Sequence, residues 1–345
     1  MAEKKHLPSE RTSLTSVDVA RRAGVSRTTV SYVLNGNEDG HVSEATRAKV
    51  LQAAQELGYS IHSSARALRK GQSDEICILV DLPLTIHRTE LYVSLQHQAF
   101  LHGYSSVVYF SHGFSPEQVQ NLLLKIFSRR PMGIFATEKS MTTEQIALAK
   151  RMGVDNIVLY SVKPLDHART IILPTRPLGY LAAQHLLERG HCHLGLVHPA
   201  DHFHEYGFLQ RLEGMRSAIA GMPAVTLDIL PLQLSLPDAH ALVDTFLTEA
   251  NHPTGIYAYN DEYALLLLGA LADRGRQAPQ DVAVVGTDDI SFGEFMRPTL
   301  TTIRFDPISL GQRVVEMLVS WHNGQPLPEE FSQPLMPQLV LRGSS

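Results

Sequence analysis

Residues 15–35 read TSVDVARRAGVSRTTVSYVLN, and this stretch predicts two short helices joined by a tight turn. Thr15 is followed three residues later by Asp18, a spacing that resembles a capping box and marks a helix start. We expect this first helix to run from about Ser16 to Ala23. Gly24 should end it, because glycine tolerates the positive φ that a tight turn requires.

The second helix should begin after Ser26, whose side chain can cap it, and end near Asn35. Its inward side is apolar and comprises Val30, Val33 and Leu34. Its outward side is polar or aromatic and lacks a carboxylate; it comprises Arg27, Thr28, Ser31 and Tyr32. Because such a face suits a phosphate-rich groove, we interpret the pair as a DNA-binding helix-turn-helix. The alternative is a small helical domain with a solvated face.

A third helix and a short basic segment follow. Ser43 should cap the helix, which runs to about Leu57, and its buried face comprises Val50, Ala53, Ala54 and Leu57. The segment from Ser60 to Lys70 is polar and basic with one apolar stripe. It is too short to be a stable helix alone in water, so it is either a hinge that folds on binding or a plain linker.

Charge and composition limit the class of protein. The chain has 345 residues, which suggests two or three domains. Residues 1–72 contain 11 Lys and Arg against 7 Asp and Glu, whereas the remainder contains 19 against 28. A basic head on an acidic body favours a polyanionic partner for the head alone. With no signal-peptide core and no apolar run of membrane length, we expect a cytoplasmic protein that is not bound to a membrane.

After Glu75 short apolar runs alternate with segments of helix length. Four runs precede a break near Ser161 to Thr170, and four follow it: ICILV, SVVYF, GIFAT and NIVLY, then HLGLVH, LDILPL, GIYAY and DVAVVG. Strands that alternate with helices predict parallel sheets covered on both faces, here in two α/β lobes. The run TTIRF and the helix from Pro307 to Trp321 should cross back between the lobes.

Polar residues follow two of these strands. Asn260 and Asp261 come after GIYAY, and Asp288 and Asp289 come after DVAVVG. Both pairs should lie at strand carboxyl ends, where side chains face a cleft and can bind hydroxyl or amide groups. Capping of the following helices is the alternative role for Asn260 and Asp288, and Asp261 is expected to be structural.

Enzyme and metal motifs are missing from the sequence. It contains no G-x-G-x-x-G, P-loop, H-E-x-x-H, G-x-S-x-G or C-x-x-C. Cys77 and Cys192 lie in strand-like runs and are expected to be buried thiols. His191 and His193 share one strand face, but a metal site needs three or four converging ligands. We therefore predict neither a metal site nor a cofactor nor catalysis.

The order of these motifs is similar to the lactose-repressor (LacI/GalR) family of transcriptional regulators. The resemblance covers almost all of the chain after the first dozen residues. It is carried by DVARRAGVSRTTVSYVLNG, HVSEATRAKVLQAAQELGY, LLERGH, YNDEYALLLLGAL, DVAVVGTDDI and PTLTTIRFDPISLGQR. It implies an all-α helix-turn-helix head and an α/β, periplasmic-binding-protein-like core of two doubly wound parallel-sheet lobes.

The resemblance also implies domain limits. They are a DNA-binding domain at 12–59, a hinge helix or linker at 60–73, and an effector-binding and dimerisation core at 74–345. The crossings between the lobes of the core are then expected near 161–170, 288–292 and 320–326.

Site residues are implied position by position. Base readout is expected from Arg27, Thr28, Ser31 and Tyr32. Phosphate contacts are expected from Ser26, Thr29, Asn35, His41, Ser43 and Thr46. The minor-groove hinge residues are Ala65, Arg66 and Leu68, with Leu68 as the wedge. The effector residues are Asp288, Asn260 and Tyr180, where Tyr180 replaces an arginine that many members carry, so the cleft is expected to lack a guanidinium.

The sequence therefore predicts a sequence-specific transcription regulator, most consistent with a repressor. It would bind a near-palindromic duplex DNA operator as a homodimer and respond to a sugar or related small molecule in the cleft. The alternatives are a solute-binding protein with the same core fold and an α/β enzyme.

Overall fold

The computed structural model describes residues 14–35, 42–59, 71–81, 85–161, 164–172, 175–200, 204–248, 251–331, 333 and 335–345. The chain divides into two compact units, Met1–Ser73 and Asp74–Ser345. Within the described ranges, no helix combines the length and apolar character needed to cross a bilayer.

The first unit contains three short helices around one apolar centre. They are α1 (Ser16–Ala23), α2 (Arg27–Asn35) and α3 (Glu44–Leu57). Their buried core comprises Val19, Ala20, Val30, Val33, Val50, Ala53 and Ala54. The predicted inward faces of α2 and α3 are thus confirmed, with Leu34 and Leu57 packed at the edge of the core.

The predicted caps are present. Asp18 Oδ2 accepts hydrogen bonds from the backbone N–H of Thr15 at 2.9 Å and from its hydroxyl at 2.8 Å. These bonds hold the pKa of Asp18 below its usual value. Gly24 ends α1 with φ 67°, and Ser26 Oγ accepts from the Thr29 N–H at 3.0 Å. The turn of the helix-turn-helix therefore has the glycine and the serine cap that the sequence predicts.

The second unit consists of two lobes, each built on a largely parallel sheet. The first sheet has the order β2-β1-β3-β4-β5 and the second has β11-β10-β9-β8-β6-β7. The strands are β1 Glu75–Val80, β2 Ser105–Phe110, β3 Gly133–Thr137, β4 Ile157–Ser161, β5 Arg169–Ile172, β6 His193–Pro199, β7 Thr226–Leu232, β8 Gly255–Tyr257, β9 Ala283–Thr287, β10 Thr301–Arg304 and β11 Gln338–Val340. Only β11 pairs antiparallel among these strands, against β10.

Helices follow the strands in each lobe. They are α4 Ile86–Leu101, α5 Pro116–Ser128, α6 Thr143–Arg151, α7 Arg176–Glu188, α8 Glu205–Ala218, α9 Leu236–Thr248, α10 Asp261–Asp273, α11 Phe292–Phe295 and α12 Pro307–His322, with a short 3₁₀ turn at Glu329–Phe331. Successive residues of β1 join different apolar clusters: Ile76 and Ile78 pack with α4 residues, and Cys77 and Leu79 pack with α5 residues. Both faces of this sheet are therefore covered, as a doubly wound fold requires.

The chain passes between the lobes later than the expected positions at two of three points. The stretch near 161–170 includes the start of β5, whose Ile171 pairs with Tyr160 of β4, so the first passage follows Ile172. The stretch at 288–292 remains in the second lobe, because β10 pairs with β9 beyond it. The second passage lies between Arg304 and Pro307, and the third follows His322.

Helix α12 belongs to the first lobe although it follows the second in sequence. Ser94 Oγ of α4 donates a hydrogen bond to the Ile308 carbonyl at 2.9 Å. Asn156 Nδ2, just before β4, donates to the Leu318 carbonyl at 2.9 Å. The sequence prediction that TTIRF and the next helix cross back is confirmed.

The two cysteines have different environments. Cys77 is buried in β1, and burial raises the pKa of its thiol to about 12. Cys192 is exposed just before β6, so the prediction that it is buried is wrong. The apolar run that suggested burial begins only at Leu194, the first buried residue of β6.

Helices α7 and α8 approach each other at two glycines. A Cβ on Gly179 would lie 1.9 Å from the Arg211 carbonyl oxygen, and a Cβ on Gly214 would lie 2.0 Å from the Arg176 carbonyl oxygen. Since such distances are far inside van der Waals contact, the helix backbones can touch only because both positions lack a side chain. This reciprocal contact fixes α8 against α7.

Replacing Gly179 by alanine should destabilise the chain by more than about 2 kcal/mol, because two backbones must separate to admit the methyl group. Gly269→Ala on α10 is the matched control: nothing lies within 4 Å of its added Cβ. There we expect a gain of roughly 0.5–1 kcal/mol from the higher helix propensity of alanine. Urea unfolding of both variants measures the difference, and equal midpoints would contradict the close approach.

Candidate functional site

The outward face of α2 presents the predicted base-reading residues. Arg27, Thr28 and Tyr32 are exposed, and Ser31 is half-buried. Arg27 Nε donates a hydrogen bond to Ser16 Oγ of α1 at 3.2 Å, and this bond holds the Arg27 side chain against the first helix. This exposed face carries one cation and no carboxylate, so it can approach a polyanion.

The structure describes the side chains of four of the six predicted phosphate-contact residues, and they lie at the starts of α2 and α3. Ser26 and Thr29 share the first turn of α2, with their hydroxyls 2.9 Å apart, and Ser43 and Thr46 repeat this arrangement at α3. Helix N-termini of this kind favour anions. The side chain of Asn35, His41 and the hinge residues Ala65, Arg66 and Leu68 lie outside the described residues.

A cavity of about 190 Å³ lies between the two lobes of the second unit. Its walls include residues at the carboxyl ends of four strands, as parallel sheets dictate: Thr137 and Glu138, Tyr160 and Ser161, Tyr259 and Asn260, Thr287 and Asp288. Helix residues complete it, among them Arg88, Tyr92, Leu178, Gly207, Arg211 and Leu310. The predicted positions of Asn260 and Asp288 in the cleft are confirmed.

The first lobe contributes a hydrogen-bonded floor. Thr137 Oγ1 donates to Asp81 Oδ1 at 2.9 Å and lies 2.8 Å from the Ser140 hydroxyl. Ser161 donates to Glu138. Because these side chains bond one another, the floor is held in place before any ligand enters.

Asn260 and Asp288 differ in how they are held. Asn260 is buried, and its Oδ1 accepts from the Tyr263 N–H at 3.1 Å, so it caps α10 while lining the cavity. Asp288 follows β9 with φ 109°, a conformation that side chains rarely adopt. Backbone strain of this kind is found at ligand sites, where surrounding structure maintains it.

Asp261, next to Asn260 in sequence, has the structural role expected of it, because both of its carboxylate oxygens bond to the protein. Its Oδ2 accepts from the Ile290 N–H at 2.9 Å and its Oδ1 from the Thr302 hydroxyl at 2.6 Å. Burial raises the pKa of Asp261 to about 8, and the nearby Asp288 and Asp289 add to that rise. Asp289 is paired with Arg342 Nη2 at 2.7 Å.

Arg211 is the cavity residue that sequence reasoning missed. It is 6% exposed, its guanidinium carbon lies 3.9 Å from the centre of the Tyr259 ring, and it belongs to the second lobe through α8. Burial lowers the pKa of Arg211, but Tyr259, Tyr257 and Asp288 outweigh that effect. The cleft therefore keeps a guanidinium, contrary to the sequence prediction.

The comparisons with known proteins agree with this architecture. Residues 15–61 match the family described as bacterial regulatory proteins, lacI family, and residues 183–345 match the periplasmic binding protein-like domain. The chain therefore combines a DNA-binding domain of the lacI family with a periplasmic-binding-protein-like domain. It is 29% identical over 334 residues to the HTH-type transcriptional repressor PurR of Actinobacillus pleuropneumoniae serotype 3 (strain JL03), covering 95% of this chain and 97% of that protein.

Other relatives and structures extend the match. The repressor PurR of Vibrio cholerae serotype O1 (strain M66-2) is 29% identical over 88% of this chain and 89% of its own. A crystal structure of the lac repressor dimer bound to operator and the anti-inducer ONPF superposes with a TM-score of 0.79 at 25% identity, covering 96% of this chain and 98% of that one. A CelR–cellobiose complex shares the fold, with a TM-score of 0.64 at 24% identity, covering 96% of this chain and 100% of that one.

Tyr180, predicted from the sequence as an effector residue, lies outside the cavity. It is 44% exposed on α7, where its backbone faces the close contact with Gly214. A sequence signal for Arg211 exists on α8, where Phe208, Arg211, Leu212 and Met215 form a buried stripe at i, i+3, i+4 and i+7. An arginine within such a stripe indicates a buried charge that needs a partner.

His191 and His193, which the sequence analysis considered as metal ligands, each have a protein partner. His191 Nδ1 lies 3.1 Å from the Thr254 hydroxyl, and His193 Nε2 lies 2.7 Å from Asp228 Oδ2. His204 lines the cavity and meets the Tyr259 ring edge-on at 4.9 Å. In the described part of the chain, no three His, Cys, Asp or Glu side chains are grouped to hold a metal.

The raised pKa of Asp261 predicts a pH dependence. Between about pH 4 and pH 8 the folded chain keeps this proton while the unfolded chain has lost it, so this group's contribution to stability falls as the pH rises through that window. Asp261→Asn, which cannot titrate, should remove this part of the slope. Unfolding midpoints of parent and variant at several pH values between 4 and 9 provide the measurement. Parallel curves would show that Asp261 has an ordinary pKa.

Proposed function

We propose that this chain is a cytoplasmic, homodimeric transcription regulator of the LacI family that represses by binding a near-palindromic operator. A small-molecule effector in the cavity between the lobes controls it. The observation that carries this proposal is the presence, in one chain, of a helix-turn-helix with an exposed carboxylate-free face and a two-lobed unit whose cavity carries polar side chains at the strand ends. The relatives named repressors support the direction of regulation.

DNA binding follows from the face of α2. Arg27 and Tyr32 are long enough to reach base edges in a major groove, and the capped starts of α2 and α3 can receive phosphate oxygens. One such unit reads a half-site, and a two-fold dimer reads two. The lac repressor structure, a dimer on its operator, supports this assembly.

Effector binding follows from the cavity. Arg211 supplies donors, Asp288 supplies acceptors, and Asn260 supplies its amide group from one lobe. The first lobe adds Arg88 and the hydrogen-bonded floor around Thr137. A ligand that contacts both lobes favours their closed arrangement.

Transmission to DNA is proposed to use the segment 60–73. From its sequence, the stretch Ser60 to Lys70 is too short and polar to be helical alone, so it should fold only when two copies meet at the minor groove. Closure of the lobes would shift this equilibrium by at most the effector's differential affinity, typically about 1–3 kcal/mol.

DNA binding distinguishes the proposed regulator from two alternative functions. A solute-binding protein would use the same cavity, and an enzyme could use its polar groups, but neither predicts retention on duplex DNA with a steep salt dependence. Selection of bound duplexes from a random pool, at two salt concentrations, tests the proposal directly. Failure to enrich any sequence would contradict it.

Arg27→Ala should weaken binding to the selected operator more than binding to scrambled DNA, because a bidentate contact to guanine discriminates by about 1–3 kcal/mol. Arg21→Ala, which removes an exposed cation from α1, is the control. It should change both affinities equally. Titration of both variants on both duplexes gives the comparison, and equal losses for Arg27→Ala would mean that it contacts phosphate alone.

Asp288→Asn should abolish the effector response while leaving ligand-free operator binding unchanged. Asparagine tolerates the positive φ better than most residues, so the loop should survive and only the carboxylate is lost. Asp273→Asn is the control, since Asp273 is exposed and pairs with His240. Operator titration with and without effector measures the response. A normal response from Asp288→Asn would place the effector elsewhere.

A further inference from the structure

A hydrogen bond joins the first residue of α2 to the first residue of α1. Arg27 Nε donates to Ser16 Oγ at 3.2 Å. The bond connects an exposed cation on one helix to a half-buried hydroxyl on the other. Because Nε is the atom through which the guanidinium joins its side chain, a bond at Nε restricts the direction in which the guanidinium points.

Both ends of this bond start from well-anchored helix turns. The backbone N–H and the hydroxyl of Thr15 donate to Asp18 Oδ2, which fixes the start of α1. Ser26 Oγ accepts from the Thr29 N–H, which fixes the start of α2. The apolar core of the first unit packs the two helices against each other. Loss of the bond should therefore free the arginine side chain without changing the fold.

Ser16 holds the cation without neutralising it. Within the described part of the first unit, no carboxylate lies within 4 Å of this guanidinium, and the ion pairs there are Arg21–Asp18 and Arg22–Glu56. A carboxylate in place of the hydroxyl would hold the side chain but would also repel phosphate oxygens. A hydroxyl accepts the same bond and leaves the positive charge available to a polyanion.

The remaining donors of Arg27 lie at the far end of its guanidinium. Nη1 and Nη2 make no hydrogen bond with the described residues, whereas Nε is taken by Ser16. An arginine can form a bidentate contact either with its two Nη groups or with Nε and one Nη. Since Nε is engaged, the contact left to Arg27 is the end-on one, in which two parallel N–H groups meet O6 and N7 of a guanine.

Restriction of the side chain affects discrimination as well as affinity. A free arginine loses rotamer freedom when it binds, and a side chain that is already held loses less. A free arginine can also swing to a neighbouring phosphate when the guanine is replaced, which reduces the penalty for a wrong base. A restrained arginine has less access to that second contact, so the wrong base costs more.

We propose that Ser16 is a specificity-determining positioning residue, whose hydroxyl directs Arg27 end-on at one guanine of the operator. The inference rests on the proposed function of the chain as an operator-binding regulator. Ser16 acts through Arg27 and not through a contact of its own with DNA. Its effect is therefore confined to the base pair that Arg27 reads.

The test uses the full chain, the duplex that the parent selects from a random pool, and duplexes in which one base pair at a time is replaced. Arg27→Ala identifies the base pair in question, because replacement of that pair no longer changes the affinity of this variant. At that base pair we expect Ser16→Ala to lower the parent's discrimination by about 3- to 10-fold. Discrimination at the other base pairs should be unchanged.

Two further comparisons assign the effect to the hydroxyl and to Arg27. Ser16→Thr and Ser16→Val introduce side chains of the same shape that differ in one hydroxyl, so the threonine variant should discriminate as the parent does and the valine variant as Ser16→Ala does. The double variant of Ser16→Ala with Arg27→Ala should bind every duplex as Arg27→Ala alone does, because the two residues act as one unit.

Four results would overturn the proposal. Equal discrimination by the threonine and valine variants would show that the hydroxyl has no role. A loss spread evenly over all duplexes, or a further loss in the double variant, would show that Ser16 contacts DNA itself or supports α1. The absence of any base pair that loses its influence in Arg27→Ala would show that Arg27 reads no base.

Selection by the parent separates this proposal from the proposed function. A parent that enriches no duplex contradicts the regulator itself. A parent that enriches one sequence, together with a Ser16→Ala variant that discriminates equally well, contradicts only the role of Ser16.

Discussion

The contact between the backbones of α7 and α8 governs the geometry of the second lobe. Gly179 and Gly214 each meet a carbonyl oxygen of the other helix, so neither helix can rotate or slide without a clash. With α8 fixed in this way, the stripe that contains Arg211 must point inward, and Gly207 must face the cavity. A packing constraint between two helices therefore determines which residues of α8 line the cavity.

The parallel sheets impose the second constraint. Since all strands except β11 run in one direction within each sheet, their carboxyl ends meet at one edge, and the loops that follow carry the polar residues. Three passages of the chain join the lobes, and α12 returns to the first lobe before β11 completes the second. Two well-packed bodies with short connections can change their separation while each keeps its core, which is how a cleft reports ligand binding.

Sequence reasoning succeeded where local chemistry decides structure. The caps at Thr15, Ser26 and Ser43, the turn at Gly24 and the inward faces of the first three helices depend on residues within a few positions of each other. The placement of Asn260 and Asp288 followed from the direction of parallel strands. These features need no knowledge of distant contacts.

Sequence patterns do not predict the elements that form only by pairing with residues distant in the chain. Strand β5 is four residues long and partly exposed, so its pattern resembles a loop until β4 lies beside it. Strand β11 forms only because β10 offers an edge. The spacing of the apolar residues on α8 indicates that Arg211 is buried, but its place beside the cavity depends on the contact between α7 and α8, which the sequence does not display.

Ligand binding and lobe closure are coupled through differential affinity. A molecule that contacts both lobes loses some of its contacts when the lobes separate, so its affinity differs between the two arrangements. Differential affinity of this kind is the sole means by which a ligand can shift an equilibrium. Polar groups at the carboxyl ends of the strands of both sheets, among them Thr137 and Asn260, are the contacts that such a molecule would make or lose.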